Sequence, residues 1–228
     1  MRIELDAVSK GRAGGILPPT SLVLESGQAT LATAETEQRP SVLGLIATGR
    51  MRPSAGTVTV DGLRSARRVR RASALIDAPD VNDPAPDVTV AGIVAEELMF
   101  AGRRSDPLAA RRWLDQHGLR PLAATPMGEV SADDRIRMLL ELASLRPGVE
   151  ALVLVSPDRH GGDPVHWWRI AQSFADRGFA VLVIAGIAAA TALAPPTTTR
   201  RRPARPRLRP GSALRPARTR SPREDIHP

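Results

Sequence analysis

Gly49-Arg50-Met51-Arg52-Pro53-Ser54-Ala55-Gly56-Thr57-Val58-Thr59-Val60-Asp61-Gly62 is the stretch on which the reading of this chain turns. Residues 41–47 before it are an apolar run of helical character, and Gly49 stands where such a helix would stop. Residues 57–60 are β-branched and end at Asp61-Gly62, a turn pair, so they predict a strand closed by a tight turn. The stretch therefore encodes a helix stop, an extended lead and a strand.

Upstream of it, residues 2–8 alternate polar and apolar as a half-buried strand does, and residues 20–25 and 28–33 predict two more strands. Downstream, residues 73–76 predict a strand. Residues 90–101 and 106–117 predict helices, the second with Asp106-Pro107 as cap and first turn. Residues 133–145 predict a helix closed by Arg146-Pro147-Gly148. Residues 151–155 are a continuous apolar run, the mark of a central strand buried on both faces. A helix over 165–177 stops at Gly178, and residues 179–184 predict a last buried strand. The apolar run 179–194 falls short of the ~20 residues a membrane span needs, so it reads as that strand followed by an Ala-rich helix. Strands first, then strand alternating with helix around an all-helical middle, give an α/β core with a β edge layer and a helical insert.

Composition excludes several functions. The chain has no Cys and no Tyr, and aromatics are 3 %, which leaves no disulfide, no thiolate metal site and no stacking platform for bases. His117, His160, His166 and His227 do not pair at a ligand spacing, so no metal site is read. The start, Met1 to Leu5, has too short an apolar stretch, and too much charge, for a signal peptide. The formal net charge is +8, but residues 195–228 alone carry ten Arg against Glu224 and Asp225; the other 194 residues hold 22 basic and 22 acidic groups. That Pro- and Arg-rich tail has no apolar periodicity and is expected to be disordered, either a solvated tail or a contact for anionic lipid or RNA.

The order of segments, with the motif at 49–62, resembles ATP-binding subunits of ABC transporters over about residues 1–190. In that family a helix leaving the phosphate loop ends in Gly and is followed by R-P-x-x-G-x-V-x-V-x-G. The start, Ile3-Glu4-Leu5-Asp6-Ala7-Val8-Ser9-Lys10, fits it too. The resemblance implies a P-loop NTPase-like ABC cassette core over residues 1–194, with an antiparallel β edge layer, a helical subdomain at about 88–146, and a disordered tail over 195–228.

Those anchors also place the family's functional positions. A phosphate loop needs glycines whose N–H groups wrap phosphates, a Lys, and a hydroxyl for Mg²⁺. At its position stands Thr33-Ala34-Glu35-Thr36-Glu37-Gln38-Arg39-Pro40-Ser41, with Thr33 and Gln38 for the glycines, Arg39 for the Lys and Pro40 for the hydroxyl residue. Ser41 alone still offers a hydroxyl. Glu35 and Glu37 would oppose phosphates, at about 4 kcal/mol per pair of unit charges ~4 Å apart at an effective dielectric of 20. No aromatic follows Lys10 to stack on adenine; Arg12 stands there, either stacking on the base or lying as an exposed turn residue. Asp77-Ala78-Pro79-Asp80 replaces the glutamine loop after 73–76, and Asp80, Asp83 and Asp87 lack the spacing of a calcium loop. The signature's position reads Val130-Ser131-Ala132-Asp133-Asp134-Arg135, keeping only Ser131. After the strand 151–154 come Val155 and Ser156 where magnesium-ligand and base carboxylates are expected, with Asp158 two residues beyond the base position. Asp163-Pro164 resembles the family's D-loop; Asp163 is either a dimer contact or a helix cap. The switch His is replaced at Ala185-Gly186, and the resemblance implies that His160 and His166 lie on the other side of the core and are no substitute.

The expectation is a pseudo-ATPase: no catalytic residue, no cofactor, or ATP and Mg if nucleotide binding is retained. Its partners would be a membrane transporter subunit, a second ABC subunit, or both. Its place would be cytoplasmic, peripheral at the inner face of the cell membrane, and nucleic acid is expected only through the tail. The alternatives are a subunit that hydrolyses ATP with atypical motifs, Arg39 replacing the Lys, and a cytosolic interaction module using the basic tail.

Overall fold

A computed structural model describes residues 1–35 and 39–194; the expectations for Glu37, for Gln38 and for the tail, 195–228, lie outside the described residues. Strands β1 (Arg2–Lys10), β2 (Leu17–Glu25) and β4 (Ala55–Val60) form an antiparallel sheet in the order β2-β1-β4. Strands β3 (Ala29–Thr33), β5 (Ser73–Ile76), β6 (Ala151–Val155) and β7 (Ala180–Ala185) form a parallel sheet in the order β3-β7-β6-β5. The helices are α1 (Arg39–Ala47), α2 (Ala66–Ala72), α3 (Val90–Phe100), α4 (Pro107–Gln116), α5 (Ala132–Ser144), α6 (Pro164–Asp176) and α7 (Ile187–Leu193).

Every residue of β6 and β7 is buried, which is why these strands are apolar without alternation. Their side chains still divide by the two-residue period of a strand. Leu152, Leu154, Val181 and Val183 join the core formed with α3 to α6, while Val153, Val155, Leu182 and Ile184 join the core under α1 and the antiparallel sheet. Trp167 on α6 is fully buried and Trp168 beside it is half-buried. Gly44 lets α1 lie close on the sheet: a Cβ there would stand 2.9 Å from both Leu75 and Val155.

Two elements differ from the sequence reading. β2 begins at Leu17, ahead of the expected residue 20, because Pro18 and Pro19 sit on an edge strand, where a missing N–H costs no ladder bond. α2 had no apolar period to announce it: Ala-Arg-Arg-Val-Arg-Arg-Ala buries only Val69 and Ala72. Its start is fixed by Ser65, whose side chain accepts the Arg68 N–H. The β1–β4 register shifts between Asp6 and Ser9, where Ala7 takes φ 45° and Gly56 takes φ 80°. A Cβ on Gly56 would lie 2.3 Å from the Ala7 carbonyl oxygen, so only glycine fits this crossing.

Candidate functional site

In an open parallel sheet, ligands bind beyond the carboxyl ends of the strands. Here that end is a shallow open cleft of about 320 Å³ lined by Ala34, Glu35, Pro40, Ser156, Asp158, Arg159 and Gly186. Thr33 ends β3 and is exposed, and the Ala34 N–H donates to the Ala185 carbonyl at 3.0 Å, tying the chain to β7 beyond the strand. Ser156 follows β6 in the left-handed region, φ 48°, and its N–H donates to the Ile184 carbonyl at 2.7 Å.

Two carboxylates close this end. Asp158 Oδ2 accepts the Gly186 N–H at 2.9 Å, and Glu35 Oε1 accepts the Ile187 N–H at 2.8 Å. Both N–H groups belong to the unpaired start of α7, where negative charge is favourable. Two of the backbone donors at the start of α7 are thus engaged by the protein's own acids.

The residues at the start of α1 turn elsewhere. Arg39 Nε donates to the Ile16 carbonyl at 3.2 Å, and the buried Ser41 hydroxyl donates to the Pro79 carbonyl at 3.0 Å. Ser131 caps α5, its hydroxyl accepting the Asp134 N–H at 3.2 Å. Asp163 caps α6, accepting the Val165 N–H at 2.8 Å ahead of Pro164. Neither cap residue lines the cleft. The two helix starts meet one another instead: His166 Nδ1 is 3.3 Å from Asp133 Oδ2, and Gly162 faces Ala132.

Sequence reasoning missed the most developed polar group of this end. Asp77, directly after β5 and in the left-handed region at φ 57°, has a fully buried side chain. Its Oδ1 accepts Arg135 Nη2 at 2.8 Å and Arg159 Nη2 at 3.0 Å. Its Oδ2 accepts Arg135 Nε at 3.3 Å and lies 2.7 Å from His160 Nε2. A carboxylate only accepts, so the His160 Nε2 carries the proton toward Asp77. That nitrogen then has no lone pair for Arg159 Nε, 3.1 Å away, and that contact is not a hydrogen bond. Arg159 also reaches Asp83 at 3.1 Å. Burial pushes the Asp77 carboxyl up, but hydrogen bonds from His160 and Arg135, with the Arg135 charge, hold it below the ordinary 3.8. The available signal was Arg135, a charge on the buried stripe of α5 between Ala132 and Leu139.

The comparisons with known proteins bear on the fold. No protein family matches the sequence, and no curated protein matches it. Among solved structures, a putative ABC transporter ATP-binding protein from Pyrococcus furiosus superposes with a TM-score of 0.59 at 14 % identity, covering 82 % of this chain and 92 % of that one. An ATP-binding subunit of an ABC transporter gives a TM-score of 0.57 at 16 % identity, covering 84 % of this chain and 82 % of its own. A nucleotide-free ATP-binding cassette gives a TM-score of 0.57 at 16 % identity, with 82 % of each chain covered. At such identities the likeness defines the fold, which is that of the ATP-binding cassette subunits. Among the described residues, no helix is long and apolar enough to cross a membrane.

Proposed function

We propose that this chain is a non-catalytic ABC-type subunit, a structural or regulatory partner in a membrane transport complex. The observation that carries the reading is the engagement of Glu35 and Asp158 with the Gly186 and Ile187 N–H groups at the carboxyl end of the sheet. A triphosphate entering there meets carboxylates where it needs donors. The Arg39 guanidinium and the Ser41 hydroxyl, the two groups suited to phosphate and Mg²⁺, are bonded to the carbonyls of Ile16 and Pro79. These residues do not fit ATP with Mg²⁺.

The partners in this reading are a membrane transporter subunit, a second ABC subunit, or both, and the place is the cytoplasmic face of a membrane. A groove of about 720 Å³ between the loop after β5 and α3 suits a protein contact, because Val81, Val88 and Phe100 expose apolar surface along it.

Titration of the purified full chain with a fluorescent ATP analogue, with and without Mg²⁺, tests the reading. It predicts no saturable binding up to millimolar concentration. Micromolar, Mg²⁺-dependent binding displaced by ATP would sink it, and Arg39, Ser41 and Asp158 would then be the residues to substitute.

A further inference from the structure

The formal charge of residues 1–194 cancels, yet the structure segregates it. Between Arg64 and Ala72 there are five arginines and no acid. α2 buries only Val69 and Ala72, so Arg67, Arg68, Arg70 and Arg71 all project from its exposed faces. Arg68 meets Asp61 at 2.8 Å, an exposed pair, and Arg70 donates to the Gly49 carbonyl at 2.9 Å. Arg64, Arg67 and Arg71 meet no carboxylate within ion-pair distance among the described residues. Arg67, Arg68 and Arg71 share a groove of about 520 Å³ with Pro147, Gly148 and Glu150.

The positive field extends past α2. Arg50 spends its guanidinium on the carbonyls of Thr48 and Ser73. Burial first, then repulsion from the charges of Arg146 and Arg70, lowers its pKa from the ordinary arginine value. One exposed apolar residue adjoins the arginine run in sequence, just before Arg64. Leu63 is 56 % exposed while its backbone is pinned by paired 2.9 Å hydrogen bonds with Val60.

We propose that α2 and the Leu63 turn form a docking surface for anionic phospholipid headgroups. Arginine forks match phosphodiester oxygens in pairs, and a protruding Leu among arginines suits the boundary between headgroup and acyl chain. Nucleic acid fits less well. No aromatic lies within residues 61–72 or along the groove to stack on bases, and seven helical residues span only about 10 Å. The surface suits the membrane-side placement proposed above, but its test reads lipid and not nucleotide, so the two readings fail separately.

The test is flotation of the full chain with phosphatidylglycerol/phosphatidylcholine vesicles and with phosphatidylcholine vesicles alone. Arginines of residues 195–228 are common to every variant and give a constant background. Each arginine near an anionic surface contributes about fivefold in partitioning. R67E/R71E should therefore lower binding to anionic vesicles about 25-fold or more without changing the weak binding to neutral vesicles, and L63S should lower both severalfold. R67Q/R71Q, with about the 25-fold loss of two neutralised charges, replaces the reversal if that variant fails to fold by circular dichroism. Wild-type binding of the double variants to anionic vesicles would overturn the proposal, as would loss of binding to a labelled single-stranded RNA with vesicle binding intact.

Discussion

Arg135 and Asp77 stand 58 residues apart in sequence, yet their side chains meet at 2.8 Å with 5 % and 0 % of their surfaces exposed. Removing one member of such a pair leaves an uncompensated buried charge, which costs far more than the pair contributes. R135A is expected to lower unfolding stability by about 3 kcal/mol or more, although Arg159 and His160 keep part of the Asp77 bonding. R135M combined with D77L should cost much less than the sum of R135M and D77L taken singly, the fourth protein of the set being wild type. Urea unfolding of the four proteins as a double-mutant cycle measures this; additive costs would show that the pair is not coupled.

The same carboxyl sets an acid limb. Its folded value lies below the ordinary one, so between the two values the unfolded chain binds more protons than the folded chain. The contribution is fully present above the unfolded carboxylate value of about 3.9 and is lost as pH falls through the lower folded value. D77N should therefore flatten the fall in urea midpoint between about pH 5 and pH 2. An unchanged acid slope would show that other carboxyls govern it.

Asp158 holds the start of α7 by its bond to the Gly186 N–H, and a Cβ on Gly186 would stand 3.0 Å from that carboxylate oxygen. D158A and G186A should each cost about 1 kcal/mol, the usual worth of a helix cap. Their combined cost should fall well short of additive, since both act on one contact. Thermal unfolding of the single and double variants reads this directly.

G56A is expected to be the most damaging small substitution on the antiparallel sheet. Its new Cβ meets the backbone carbonyls of Ala7 and Asp6 at 2.3 and 2.4 Å, and its φ of 80° is strained for alanine. A loss of about 3 kcal/mol or more follows from steric and conformational strain together. A midpoint within experimental error of wild type would mean that β1 bends away at no cost.

Most of the strands were legible because their burial writes itself into composition. The stretches 151–155 and 179–184 are apolar without alternation since helices cover one face of their sheet and α1 with the antiparallel sheet covers the other. The caps at Asp106 and Asp163 were readable from an acid placed before Pro. α2 was not, because an arginine-rich helix standing mostly in solvent has almost no apolar stripe. The clustering around Asp77 was hidden for another reason: Arg135, Arg159 and His160 come from distant segments, and only the folded sheet brings them to the end of β5. The resemblance to ABC subunits also put Arg39 and Ser41 at the phosphate-loop position without revealing that carbonyls of Ile16 and Pro79 would claim them.

The strand order has a consequence for the chain while it is being made. β3 joins the parallel sheet through β7 alone, with Ala29 beside Val181, so about 150 residues must be added before its partner exists. At about 5–20 residues per second, β3 waits roughly 8–30 s after it leaves the ribosome. A nascent chain stalled before Ala180 would leave that edge unmated, a template for pairing with a neighbouring polypeptide. Translation speed between β3 and β7 thus sets how long that edge stays open.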